Sequence, residues 1–147
     1  MERFKIIFIA IVLVSCSIKD ENSQEVSVET ISKGELYGIE EEAGLTNNYI
    51  ITNQEQWDIF LNKINSVNQN VEEESIDFSK FIVLGVIDTF RAYSGYSVEI
   101  LNVSKKKNNL EIEVQYKNEK GIIPVENQPY HIVKIARSNS KLIFINN

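Results

Sequence analysis

Cysteine, histidine, methionine and tryptophan each occur once in the 147 residues, proline twice and glycine six times. A single cysteine permits no internal disulfide, which excludes a stapled mini-protein. A single histidine leaves a zinc site to be built from carboxylates, an uncommon donor set. Neither a G-x-S-x-G elbow nor a glycine-rich phosphate loop is present, so no metal and no cofactor is implied. Positive charge is scarce too. With 15 Lys+Arg against 21 Asp+Glu the net charge is -6, the wrong sign for a nucleic-acid binder, which must neutralise a phosphate backbone with clustered Lys and Arg. Long apolar runs are also missing: Ile6 to Val14 spans nine residues, against roughly 20 for a bilayer core. What is there is 43% hydrophobic, 24% charged and 10% aromatic residues, enough apolar material for one packed domain.

The lone Cys16 has a context. Arg3 and Lys5 precede the apolar run and small Ser15 precedes the Cys, the layout of a secretory signal. Leu13-Val14-Ser15-Cys16 resembles the bacterial lipobox, whose Cys becomes an acylated N-terminus after cleavage. On that reading residues 1–15 are a signal peptide and Cys16 is a membrane anchor, not a nucleophile or ligand. Its acyl chains make attachment stable, at about 0.8 kcal/mol per buried methylene. Ser17 resembles the sorting position of lipoproteins sent to the outer membrane, and Lys19-Asp20-Glu21 resembles an export signal to the cell surface. Cleavage removes Glu2, Arg3 and Lys5 and leaves 132 residues with 13 basic and 20 acidic side chains, net -7. Anionic headgroups repel such a surface, so the expectation is that the lipid holds the chain without help from a basic patch. Residues 16–25 read as the lipidated Cys and a flexible polar tether.

Residues 26–147 read as one domain. Trp57, Phe60, Leu61 and Ile64 fall at i, i+3, i+4 and i+7 and predict a helix. Thr52 with Glu55 fits a capping box, which starts that helix near Asn53 and lets it fade by Ser66. Val67 to Ser75, with Glu72-Glu73-Glu74, reads as a solvated loop. Everything beyond Ile76 is β-like. Phe81 to Ile87 is a strand buried on both faces. Tyr96, Val98 and Ile100 alternate with polar residues, as do Leu110, Ile112, Val114 and Tyr116, and the Ser104 to Asn109 turn joins them into a hairpin. Tyr130 to Ile135 and Lys141 to Ile145 add two strands; Val26 to Ile31 and Tyr49 to Ile51 are shorter candidates. The predicted fold is α+β: a mostly antiparallel sheet of six or seven strands, sandwich or half-barrel, with one covering helix.

Few residues invite a functional reading. His131 lies in a predicted strand and reads as a packed or surface residue; used catalytically, it would need a Ser and an acid distant in sequence, which defines a hydrolase alternative. Asp20-Glu21, Glu40-Glu41-Glu42 and Glu72-Glu73-Glu74 lack the alternating spacing of a calcium loop and read as solvated charge. The segment Asp88 to Ser97 gathers Phe90, Arg91, Tyr93 and Tyr96 around Gly95, the residue types that anchor protein interfaces. These four are the candidate partner-binding residues, against the plainer reading that Phe90 and Tyr93 cap the sheet. A small ligand or glycan bound by the same aromatics is the alternative. Pro124 and Pro129 frame Val125 to Gln128, which reads as a loop.

Three stretches then carry a family resemblance. Ile76-Asp77-Phe78-Ser79-Lys80, Ser94-Gly95-Tyr96-Ser97-Val98-Glu99-Ile100 and Pro129-Tyr130-His131-Ile132-Val133-Lys134-Ile135, in that order, resemble the C-terminal domain of PrcB-like proteins across residues 76–146. That family takes its name from a lipoprotein subunit of a surface protease complex. The chain departs from it at Ala92-Tyr93-Ser94-Gly95-Tyr96, where a Thr-Gly-Gly-Tyr turn is usual. The resemblance implies a non-catalytic accessory subunit that binds and stabilises a protein partner, a protease in the family's named member.

Overall fold

The structure is a computed structural model, and it describes residues 23–37, 46–66, 71 and 75–146. The signal segment, Cys16, Lys19 and all three acidic clusters lie outside the described residues. Among those described, nine strands and one helix follow in the order β1 (Ser23–Glu25), β2 (Val28–Tyr37), β3 (Asn47–Ile51), α1 (Gln54–Asn65), β4 (Phe81–Ile87), β5 (Arg91–Tyr93), β6 (Tyr96–Lys106), β7 (Asn109–Asn118), β8 (Pro124–Ala136) and β9 (Lys141–Asn146). They form two sheets. One has the order β1-β6-β7-β9; the other has the order β2-β8-β4-β3, with β5 added to the end of β8. All pairings are antiparallel except β7 with β9. The predicted α+β class holds, in its sandwich form.

Three layers result, because the middle sheet is apolar on both faces. Val83, Ile87, Tyr130 and Ile132 point to α1, where Trp57, Phe60, Leu61 and Ile64 meet them. Ile82, Leu84, Val86, Val133 and Ile135 point the other way, onto Val98, Ile100, Leu110, Ile112 and Val114 of the second sheet. The seven-residue run of β4 therefore feeds two cores by simple alternation. Each fully buried aliphatic side chain contributes about 1.5–3 kcal/mol. Helix entry is fixed by Asn53, whose Oδ1 accepts from the Gln56 N–H at 2.9 Å, while Gln56 Oε1 accepts from the Thr52 N–H at 2.8 Å. The predicted box is thus displaced by one residue, to an Asn cap and a Gln that reaches back.

Several expectations are corrected. The described strands number nine, not six or seven. Ser23–Glu25 is not tether: it is β1, in register with Ser104 to Lys106, so the domain begins before Val26; residues 17–22 lie outside the described residues. The β6–β7 turn is only Lys107-Asn108, with Lys107 left-handed at φ 53°. The Pro124–Pro129 stretch is not a loop but the first half of β8. A proline inside a strand lacks a ladder donor, and the fold compensates. Pro129 O accepts from the Asp88 N–H at 2.9 Å, and the Asp88 carbonyl, which Pro129 cannot reach, accepts instead from Thr46 Oγ1 and from Gln128 Nε2, each at 3.2 Å.

Candidate functional site

Four of the predicted site residues converge at one end of the sandwich, called here the far end. It holds the β4–β6 connection and the β7–β8 turn. The connection is not the free turn expected: Arg91 and Tyr93 belong to β5 and register with Asn127 and Pro124 of β8. Arg91 faces inward. Its Nε donates to Asp88 Oδ2 at 3.0 Å and its Nη2 to Asp88 Oδ1 and Oδ2 at 3.1 and 2.8 Å. Nη2 also donates to Asn118 Oδ1 at 3.1 Å, and the guanidinium lies 4.4 Å above the Tyr96 ring. The Asp88 side chain is 6% exposed and that of Arg91 23%, so the pair is a bidentate tie within one sheet, and Arg91 reaches the other sheet through Asn118 and Tyr96. Burial first, and then the Asp88 carboxylate, push the nearby Tyr116 hydroxyl above its usual range. Arg91 is thus spent internally and does not offer a free cation to a partner.

Phe90, Tyr93 and Tyr96 are half-buried, and Lys120 Nζ sits 3.8 Å over the Tyr93 ring. One face of each tyrosine is therefore covered by a cation, which narrows the room for stacking a sugar. The exposed feature lies beside them. Ile122 is 94% and Ile123 63% exposed, at the tip of the β7–β8 turn. This tip is not slack. The Gly121 N–H donates to Ser94 O at 2.6 Å and the Ser94 N–H to Ile123 O at 3.0 Å. Gly95 is left-handed at φ 92°, and a Cβ there would collide with the Glu119 carbonyl; one on Gly121 would collide with the Ser94 hydroxyl. Two glycines let two backbones interlock. Sequence reasoning missed Ile122 and Ile123, although two aliphatics between a Gly and a Pro in a turn were the signal that could have found them.

His131 lies apart from this end and is 3% exposed. Strand β1 covers only Ser104 to Lys106 of the β6 edge, and farther along that strand the Ile100 N–H donates to His131 Nδ1 at 2.9 Å. A backbone N–H can only donate, so Nδ1 is the acceptor, Nε2 carries the proton, and it donates to Thr30 Oγ1 at 3.0 Å. A base activating a hydroxyl needs the reverse arrangement. Burial, and next the Lys33 charge, hold the ring below the usual histidine range, against Glu99, which pulls it up; Lys33 and Glu99 themselves pair at 2.8 Å. The histidine stitches β2, β8 and β6 together.

Among the described residues no three His, Cys, Asp or Glu side chains converge as a metal site, and no helix is long and apolar enough to cross a membrane. No family model, curated protein or solved structure matches the chain. The likeness to PrcB-like proteins rests on the three stretches quoted above.

Proposed function

We propose that the protein is a lipid-anchored accessory subunit of the bacterial outer membrane, without catalysis of its own, whose far end binds a protein partner. The observation that carries this reading is the rigid, exposed Ile122-Ile123 tip. Large aliphatics held in water on a locked turn have their ordering cost met before binding, and Tyr93 and Phe90 widen the contact. Cys16 supplies the anchor on this reading, and the PrcB-like stretches make a surface protease the first partner to test. Ile122→Asp with Ile123→Asp should remove a partner that co-purifies with the wild type from native membranes, while the fold stays intact by circular dichroism. An unchanged set of co-purifying proteins would refute the tip as the interface. Replacing Arg91 is the wrong test, since that change attacks the fold.

A further inference from the structure

The opposite end of the sandwich, where β1 enters, collects positive charge that the overall balance conceals. Lys105 and Lys107, with Asn108 and Ser138, Asn139 and Ser140, line an open depression of about 520 Å³ between the β6–β7 and β8–β9 turns. Lys141 flanks it: it registers with Asn109, and its N–H donates to Asn108 O at 3.3 Å. Neighbouring Lys106 is neutralised by Glu111 and Lys80 by Asp77, each pair at 2.8 Å. Lys105, Lys107 and Lys141 are exposed and, among the described residues, have no carboxylate within ion-pair distance. Their companions in the depression are amides and hydroxyls. Three ammonium groups around neutral donors match the oxygens of a phosphate ester.

The position of the depression names the source of that phosphate. Ser23 registers with Lys106, so the chain arriving from Cys16 joins the domain at this end, through residues 17–22, which reach at most ~22 Å. The Ile122 tip lies beyond the other end of β6, ~33 Å away along ten residues of strand. We infer that Lys105, Lys107 and Lys141 form a membrane-docking face for anionic phospholipid headgroups, which stands the anchored domain upright with its far end outward. The inference rests on the proposed anchor at Cys16. The acyl chains supply attachment, and the lysines choose the orientation. Near an anionic surface each Lys is worth about 1 kcal/mol, or roughly 5-fold, so the three together bias docked over undocked by about 100-fold.

The acylated protein, purified from membranes, can be reconstituted into phosphatidylcholine vesicles with or without phosphatidylglycerol. Acylation blocks Cys16, so a Ser138→Cys or Ile122→Cys variant carries a single environment-sensitive label. With phosphatidylglycerol the label at 138 should report the headgroup layer and the label at 122 should report water. Reversing Lys105, Lys107 and Lys141 to Glu, or raising the salt, should return the label at 138 to water. Equal signals in both vesicle types, indifference to charge reversal, or a headgroup signal at 122 would overturn the inference. So would inorganic phosphate raising Tm while vesicles do nothing, which would mark a soluble-anion site. An unacylated Cys16 in the mass spectrum sinks the anchor alone. Sedimentation of that unacylated chain with the two vesicle types then decides the lysine face separately: anionic vesicles must retain it and neutral ones must not.

Discussion

The far end of the sandwich is closed by backbone approaches and a buried ion pair, whereas the entry end is closed by two polar turns that leave lysines in water. Both join the same two sheets, yet they spend different interactions on it. At the far end, Gly95 and Gly121 bring chains closer than a Cβ permits, and Arg91, held by Asp88, bridges the layers to Asn118 and the Tyr96 ring. At the entry end, Lys141 meets Asn108 through one hydrogen bond, and the charged side chains stay hydrated. Shape is held rigid where a protein surface would be read, and charge is left adaptable where a fluid surface would be met. The difference teaches that exposure alone does not mark a functional surface. Ile122 and Lys107 are both exposed, but only the first sits on a backbone that cannot yield.

Mutations should separate the two ends by their cost. The largest loss is expected from Arg91→Ala, which strands the buried Asp88 carboxylate and should lower unfolding free energy by about 3–5 kcal/mol in urea titration. A loss under 1 kcal/mol would place the pair among weak surface bridges and dissolve the contrast. Gly95→Ala comes next, at about 2–4 kcal/mol, because φ 92° and the Glu119 carbonyl both oppose a Cβ. Hydrogen exchange at the Gly121 and Ser94 amides should accelerate with it.

Midway between the ends, His131→Ala should cost about 2–3 kcal/mol by orphaning the Ile100 N–H. The wild type should also weaken in acid. The folded pKa lies below the unfolded one, near 6.5, so stability from the neutral ring is complete above that value and drains away as pH falls through the folded pKa. A Tm that is flat from neutral pH downward in the wild type, or an acid slope that survives in His131→Gln, would remove histidine as the cause. The smallest effect belongs to Lys107→Glu at the entry end, within about 0.5 kcal/mol of wild type in the same titration; a larger loss would mean that this turn is structural after all.

Much of the architecture was legible. Four apolar residues at helical spacing placed α1, and the unbroken Phe81 to Ile87 run placed a strand buried on both faces, because periodicity records burial directly. The alternation in Tyr96 to Ile100 and Leu110 to Tyr116 fixed the central hairpin. β1 and β5 were not legible: three-residue strands with polar sequences are made by a neighbour's open edge, not by their own pattern. The first half of β8 was hidden by Pro124 and Pro129, since the rescue of the Asp88 carbonyl by Thr46 and Gln128 joins residues far apart in sequence. At the candidate site the 88–97 segment stood out by its residue types, while the inward turn of Arg91 left no sign in the sequence. A guanidinium three positions from a carboxylate looks the same on paper whether it faces solvent or its own neighbour.

The parallel pairing of β7 with β9 has a kinetic meaning. Between them the chain leaves for the other sheet as β8, where Thr30 must find His131 across 101 positions, and only then returns to lie along β7. The second sheet is complete once β8 is present, but the first waits for β9, the last described strand, so few native contacts are local. Such topologies fold in milliseconds to seconds rather than microseconds, and stopped-flow refolding should find this domain there. Until β9 arrives, the β7 edge from Asn109 to Val114 has no strand beside it.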